Sequence, residues 1–220
     1  MNYPDVLKFK HPFTGVCAGP TGSGKTVLMR KLIKHASSTI DPSPEKIIWY
    51  YSEHQPDLVR ELGSMVEFKE GCPEMNEFDG TQPTLVIIDD LMSECGDQIG
   101  KMFTKGSHHR NLSIWFLVQN FFHHNKELRT ITLNAQYVIL FKNPRDKQQI
   151  KYLARQMYGD DARAMEDAYM AATEKAHGYL LVDLKQSTPD HLRLRSKILP
   201  DDMLEVHISK KAFKGSHLFL

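Results

Sequence analysis

The residues best suited to chemistry form a glycine-rich stretch near the amino terminus, GPTGSGKT, which matches the spacing G-x-x-x-x-G-K-[ST] in full. It lies between an apolar run, FTGVCAG, and a stretch with helical periodicity. Glycines let the backbone curl so that successive N–H groups point at phosphate oxygens, and the start of a helix adds partial positive charge. The pattern therefore predicts a phosphate-binding loop of eight residues: Gly19, Pro20, Thr21, Gly22, Ser23, Gly24, Lys25 and Thr26.

The last two residues of this loop have separate expected tasks. Lys25 should reach the β- and γ-phosphates of a nucleotide, and the Thr26 hydroxyl should bind Mg²⁺. A glycine turn with a chance lysine is the alternative, and the flanking strand and helix argue against it.

Two adjacent aspartates end a later apolar run, TLVIIDDLM. Asp89 is expected to hold the Mg²⁺ shell. Because successive side chains of a strand point to opposite sides, Asp90 should face the γ-phosphate and orient or deprotonate the attacking water. The alternative is that Asp90 caps the helix that follows. Glu94 is a weaker candidate for the same catalytic task.

Polar side chains also follow two other strand-like runs. Gln119 ends LSIWFLVQ, and an amide at the carboxyl edge of a sheet lies where α/β proteins bind ligands. It is placed to donate to a γ-phosphate and to accept from water. Glu53 and Gln55 follow KIIWYY; they are expected either to touch the site or a neighbouring subunit, or to cap the helix after Pro56.

Strand-like and helical patterns alternate along the chain, and the apolar runs are nearly continuous. Such strands predict an α/β fold with a mostly parallel sheet and helices on both faces. The helix after the loop should bury one face, formed by Val27, Leu28, Leu32 and Ile33. A short edge strand is expected in SMVEF and closing strands in GYLLVDL and LRLRSKIL. No linker divides the chain, which predicts a single domain over residues 1–220, with a flexible tail possible at 209–220.

Composition excludes several classes. Hydrophobic residues are 41% and charged residues 25% of the chain, values of a globular protein. No apolar run approaches the roughly 20 residues that span a bilayer, so no membrane partner is expected, and no signal peptide is evident. The three cysteines are scattered, which predicts no disulfide framework and a reduced intracellular compartment. A net charge of +1 means that any nucleic acid must be bound through a local patch.

Four segments together resemble the DNA-packaging ATPases of the FtsK–HerA superfamily: GPTGSGKT, VIIDDLM, HRNLSIWFLVQN and LNAQYVILFKNPRDKQQI. The likeness is strongest to the poxvirus-type ATPases of Maverick/Polinton elements, adintoviruses and related double-stranded DNA viruses. The phosphate-binding loop is generic, whereas LVQN followed by LNAQYVILFKNPRD is specific. The resemblance implies a P-loop NTPase fold in which a sensor strand is inserted between the Walker A and Walker B strands.

The resemblance also implies an activity and partners. ATP, bound with Mg²⁺, would be hydrolysed to move double-stranded DNA, without sequence specificity, into a viral capsid inside the infected cell. The partners would be capsid or portal components and further copies of the chain in a ring, usually a hexamer. Lys25 and Thr26 match the Walker A residues, Asp89 the Walker B aspartate and Gln119 the sensor. Asp90 departs from the glutamate of many members.

In such rings a neighbouring subunit supplies an arginine finger. Arg110, just before the sensor strand, is the first choice, followed by Arg129 and Arg145. The alternative for each is a surface salt bridge. The stretch GKMFTKGSHHRN predicts a basic loop that contacts DNA phosphates in a central pore through Lys101, Lys105 and Arg110, the alternative being a solvated loop.

Other interpretations of the same residues stay open. His108–His109 and His123–His124 lack the carboxylate or cysteine that would complete a zinc site. A small-molecule kinase needs a lid segment, which is not evident, and a GTPase needs an N-K-x-D motif, which is absent. A third possibility is an assembly subunit that binds nucleotide without turnover.

Overall fold

The structure is a computed structural model that describes residues 4–121, 126–145 and 148–208, except for the side chains of His108 and Gln149. The strands are β1 (Phe9–Lys10), β2 (Thr14–Ala18), β3 (Ile40–Asp41), β4 (Lys46–Tyr51), β5 (Glu67–Glu70), β6 (Thr84–Asp89), β7 (Leu112–Val118), β8 (Tyr137–Phe141), β9 (Tyr179–Asp183), β10 (Leu194–Ser196) and β11 (Glu205–Val206). The helices are α1 (Lys25–Lys34), α2 (Ala36–Thr39), α3 (Pro56–Leu62), α4 (Met92–Lys101), α5 (Ser107–His109), α6 (Lys126–Leu133), α7 (Gln148–Tyr158) and α8 (Ala162–Ala172).

A nine-stranded sheet forms the centre of the fold, in the order β11-β10-β9-β8-β2-β7-β6-β4-β5. Strands β2 and β4 to β8 pair in parallel, and β9, β10 and β11 extend the sheet in antiparallel fashion. The predicted α/β class is confirmed, and so is the insertion of β7 between β2 and β6. The predicted edge strand exists as β5, although it begins later than expected.

The strand register aligns the carboxyl ends of the central strands β2, β6 and β7. Ala18 pairs with Val118 across β2 and β7, and Asp89 pairs with Leu117 across β6 and β7. The segments that follow β2, β6 and β7 therefore leave the sheet side by side at its carboxyl edge. This edge carries the phosphate-binding loop, the two aspartates and Gln119.

Helices cover the two faces of the sheet with separate cores. One core joins α1 and α3 to Trp49, Trp115 and Ile139, and the other joins α4, α6, α7 and α8 to Val86, Phe116 and Val138. No helix in the described part of the chain is both long and apolar enough to cross a membrane.

The buried face of α1 differs from the prediction at one position. Leu28, Leu32 and Ile33 are buried as expected, and Met29 joins them. Val27 is 50% exposed instead. The helix begins at Lys25, so its inner face passes through Leu28 and Met29 and leaves Val27 toward a surface cleft.

The expectation that the cysteines form no disulfide is wrong. Cys72, which follows β5, and Cys95, in α4, are joined by a disulfide with Cα atoms 5.6 Å apart. The two residues are 23 positions apart in sequence and meet because of how α4 packs; spacing alone carries no such information. Cys17 is the remaining thiol, and burial raises its pKa.

Close packing at Gly15 gives a stability prediction. A Cβ added to Gly15 would lie 2.4 Å from the ring of Trp115, which is itself 1% exposed. Gly15→Ala should lower the free energy of unfolding by about 1–3 kcal/mol, since overpacking forces neighbours out of place. The control is Gly100→Ala in α4, where a Cβ meets no atom within 4 Å; it should be neutral or stabilise by up to about 1 kcal/mol. Equal denaturation midpoints for the two variants would contradict this packing.

Candidate active site

The phosphate-binding loop is shaped by two glycines with left-handed backbone conformations. Gly22 has φ 76° and Gly24 has φ 109°, values that residues with a Cβ rarely adopt. The loop begins where the Gly19 N–H donates to Val118 O at 3.1 Å and ends at Gly24, which precedes the first turn of α1. A Cβ on Gly19 would lie 2.6 Å from Phe141 Cβ. The loop therefore opens directly onto the amino end of a ten-residue helix, a ready anion site.

Lys25 holds its ammonium group over this loop. Its Nζ donates to Gly19 O at 2.5 Å and to Pro20 O at 3.3 Å. Burial lowers the pKa of Lys25, while the nearby carboxylates of Asp90 and Asp89 act in the opposite direction. The structure thus brings the cation, the loop and both aspartates into one electrostatic unit.

Asp89 lies at the end of β6, on the sheet face covered by α1. Burial raises the pKa of its carboxyl group, and the negative charge of Asp90 adds to this increase. The hydrogen bond from Gln55 and the charge of Lys25 lower the pKa by less, so the net shift is upward. Gln55 Nε2 donates to Asp89 Oδ2 at 3.3 Å. Gln55 precedes α3 without a side-chain capping bond. Of the two alternatives for Gln55, the contact with the site is therefore the one observed.

The donor set at this position fits Mg²⁺. The Thr26 hydroxyl and the Asp89 carboxylate are hard oxygen ligands, and Mg²⁺ commonly takes one or two protein ligands together with phosphates and water. Among the described residues, no group of three or more His, Cys, Asp or Glu side chains is arranged to hold a metal ion. His123 and His124 lie outside the described residues, as does the side chain of His108.

Asp90 and Gln119 are joined directly. Gln119 Nε2 donates to Asp90 Oδ2 at 2.7 Å, and the Asp90 N–H donates to Leu117 O at 3.2 Å. Asp90 has φ 55°, an uncommon left-handed conformation that turns the chain away from the strand direction. Helix α4 begins after Leu91, and no side chain caps it. Asp90 therefore bonds to the Gln119 amide, and its side chain does not cap the helix.

These two side chains face a cavity of about 470 Å³ between α4 and α6. The same cavity is lined by Met92, Ser93 and Leu128. Glu94 is exposed and does not line it, so of these two carboxylates Asp90 is the one that faces the cavity.

A second cavity, of about 610 Å³, lies on the other side of the loop. Its far wall contains residues that the sequence did not indicate: Phe141, His177, Tyr179, Leu199 and Asp202. His177 has φ 61°, and its Nδ1 lies 3.1 Å from Ser23 O, a residue 154 positions away in sequence. No local pattern signals a contact over such a distance.

The three candidate arginines lie in different places. Arg110 precedes β7 at the amino edge of the sheet, opposite the loop, and its Nη1 donates to Phe78 O at 2.9 Å. One nitrogen of the Arg110 guanidinium is thus bonded within its own chain, and the role of Arg110 as the finger stays a prediction. Arg129, in the first turn of α6, and Arg145, just after β8, are exposed near the carboxyl edge.

The predicted basic loop before β7 is also corrected. Helix α4 continues through a π-helical segment, Met102–Gly106, into α5, so this stretch is helical instead of a loop. Lys101 pairs with Asp97 at 2.6 Å. The glycines at 100 and 106 have no left-handed conformation to impose a turn, and the turn comes at Asn111, with φ 54°.

Comparison with known proteins supports the fold. No protein-family model matches the sequence, and neither does any curated protein. Among solved structures, the genome packaging NTPase B204 from Sulfolobus turreted icosahedral virus 2, in complex with ATP-γS, is similar with a TM-score of 0.50 and 12% identity, over 89% of this chain and 97% of that one. The flagellar accessory protein FlaH from Methanocaldococcus jannaschii has a TM-score of 0.49 and 12% identity, over 91% of each chain. At such identities the likeness to B204 shows the fold alone, that of a P-loop NTPase.

Proposed function

We propose that the protein is an ATP-hydrolysing motor that moves double-stranded DNA into a viral capsid. The observation that carries the proposal is the meeting of four groups at one sheet edge: the loop with Lys25, the carboxylate of Asp89, and the bonded pair of Asp90 and Gln119. The shared fold with a protein described as a genome packaging NTPase supports it, as does the sequence resemblance to packaging ATPases.

Each group has a task in hydrolysis. Lys25 neutralises charge on the terminal phosphates, and the backbone N–H groups of the loop hold them. Mg²⁺, held by Thr26 and Asp89, supplies further positive charge when it is bound. Asp90 accepts the proton of the attacking water, and Gln119 fixes the orientation of that carboxylate through the 2.7 Å hydrogen bond.

The cavity of about 610 Å³ takes the nucleoside half of ATP. It adjoins the loop at Thr26 and Val27, and its size falls in the range of small-molecule sites. Val27, half exposed, and Tyr179 offer apolar surface to a base and ribose. Such a role accounts for the exposure of Val27 beside an otherwise buried helix face.

The chain acts in a homo-oligomeric ring, a hexamer by resemblance, with capsid or portal components as further partners. A neighbouring subunit supplies Arg129 or Arg145 to the terminal phosphate, since both are exposed near the carboxyl edge. The motor works inside the infected cell and is of the poxvirus-type lineage by its sequence resemblance. The disulfide means that cysteine content lends this location no support.

The proposal is tested by ATP hydrolysis at defined oligomeric states, measured with and without double-stranded DNA. We expect the oligomer to hydrolyse ATP faster when DNA is added, because a translocating motor couples turnover to its track. Equal rates with and without DNA in every oligomeric state would contradict a role in translocation.

A further inference from the structure

Positive charge is in excess in a segment of the chain that spans two helices and a strand. Residues 126–158 contain seven lysines and arginines but only two carboxylates, a net charge of +5, whereas the whole chain has a net charge of +1. This segment comprises α6, β8, the connection after it and α7. Residues 6–40 also carry a net charge of +6, but four of their six cations, Lys8, Lys10, Arg30 and Lys34, are paired with carboxylates.

In the described part of the segment 126–158, the cations differ from most others in forming no ion pair. Elsewhere, surface cations are commonly paired, as in Lys46 with Glu67 at 2.8 Å and Arg193 with Asp190 at 2.8 Å. Within the described ranges, no ion pair involves any of six cations of the segment: Lys126, Arg129, Lys142, Arg145, Lys151 and Arg155. Their charges are not neutralised within the described chain.

Helix α7 presents part of this charge on an exposed face. Ile150, Leu153 and Ala154 are buried against the sheet, while Lys151 and Arg155 are exposed one turn apart. Tyr152 lies between them in sequence and is 63% exposed. Like charges at this spacing destabilise a helix, and α7 contains no acidic residue to offset them. Folding alone does not favour such an arrangement.

The face is also connected to the nucleotide site. Helix α7 follows β8, whose last residue, Phe141, lies against the loop: Cβ atoms added to Gly19 and Gly24 would lie 2.6 Å and 3.4 Å from Phe141 atoms. Lys142 and Arg145 are exposed in the connection between Phe141 and α7. A ligand bound to α7 would therefore be linked to the phosphate-binding loop through Phe141 and the short connection that follows it.

We propose that the basic strip formed by Lys142, Lys151 and Arg155, with Tyr152 among them, is the surface that binds the phosphate backbone of double-stranded DNA. This inference rests on the proposed function and assigns its DNA contact to α7 instead of the helical stretch before β7. Unpaired lysines and arginines contact phosphates without reading sequence. An aromatic side chain among them adds contact area to the strip.

The test is DNA binding by the full chain with Lys151→Ala and Arg155→Ala combined. Fluorescence anisotropy with two unrelated duplexes is measured between about 50 and 200 mM salt. The double variant should bind both duplexes about tenfold or more weakly at low salt, and the slope of log K against log salt should fall by about 2. Hydrolysis of ATP without DNA should be unchanged, because neither residue touches the site.

Two matched variants serve as controls. Lys34→Ala with Arg60→Ala removes the same charge from the opposite helical layer, where both cations are paired with carboxylates, and should retain the wild-type slope. Lys151→Arg with Arg155→Lys keeps both charges and should bind DNA like the wild type. If the variant that combines Lys151→Ala and Arg155→Ala bound DNA like the wild type, the assignment of DNA binding to this strip would be overturned, while the proposed function would stand. A wild-type chain that binds no duplex at low salt would overturn both.

Discussion

Lys25→Ala should lower kcat/KM for ATP hydrolysis by roughly 10²–10³-fold, the range seen when one preorganised donor is removed from a transition state. Nucleotide binding should weaken as well, because the Nζ that now lies 2.5 Å from Gly19 O is the cation placed over the loop. Burial already disfavours the charged form of this lysine, so its removal should leave the fold intact. Steady-state hydrolysis, titration with a fluorescent ATP analogue and thermal unfolding give the three readouts.

The control for this variant is Lys34→Ala, at the other end of the same helix. Lys34 bonds to Glu61 on the surface and lines neither cavity. It should hydrolyse ATP at the wild-type rate. If Lys25→Ala and Lys34→Ala had equal activity, the loop would not be the phosphate site.

Asp90→Asn should lower kcat by roughly 10²–10⁴-fold, the usual contribution of a positioned general base. The amide of asparagine is unable to accept the proton of the attacking water, yet its oxygen still accepts the hydrogen bond that Gln119 donates to Asp90 Oδ2. The affinity for ATP should therefore stay near the wild-type value. Separate measurement of kcat and of nucleotide affinity distinguishes this variant from Lys25→Ala, which loses both.

Asp90→Glu is the matched substitution, since it keeps the carboxylate and moves it by one methylene. It should retain far more activity than Asp90→Asn. Gln119→Ala should fall between them, because it removes the orienting hydrogen bond but leaves the carboxylate. If Asp90→Asn turned over ATP as fast as the wild type while Asp90→Glu did not, the carboxylate would not be the base.

Much of the fold was predictable from local patterns. Apolar strand runs identified the parallel strands β2, β4, β6, β7 and β8, and resemblance placed β7 between β2 and β6. The loop was predictable because glycine spacing reports backbone conformation directly, as Gly22 and Gly24 show. Helical periodicity predicted that Val27 is buried, and this prediction is wrong, because Val27 lies beside a surface cleft.

The structural features that were not predicted from the sequence depend on contacts between residues far apart in the chain. The Cys72–Cys95 bridge, the bond between His177 and Ser23, and the wall formed by Tyr179 and Asp202 all require the complete fold. Arg110 shows the same limitation: sequence proximity to β7 says nothing of which sheet edge it occupies or that Phe78 O binds it. The left-handed conformation of Asp90 was equally hidden, because strand alternation predicts its side but not a turn of the chain.

If the proposed mechanism holds, this site consumes ATP through Asp90 instead of only holding it. A single-turnover experiment tests it, with oligomeric protein and DNA in excess over ATP labelled at the γ-phosphate. The wild type should release labelled phosphate, whereas Asp90→Asn should bind the same ATP and release it unhydrolysed. Bound but unhydrolysed ATP in the wild type, or phosphate release at equal rates by both proteins, would contradict hydrolysis through Asp90.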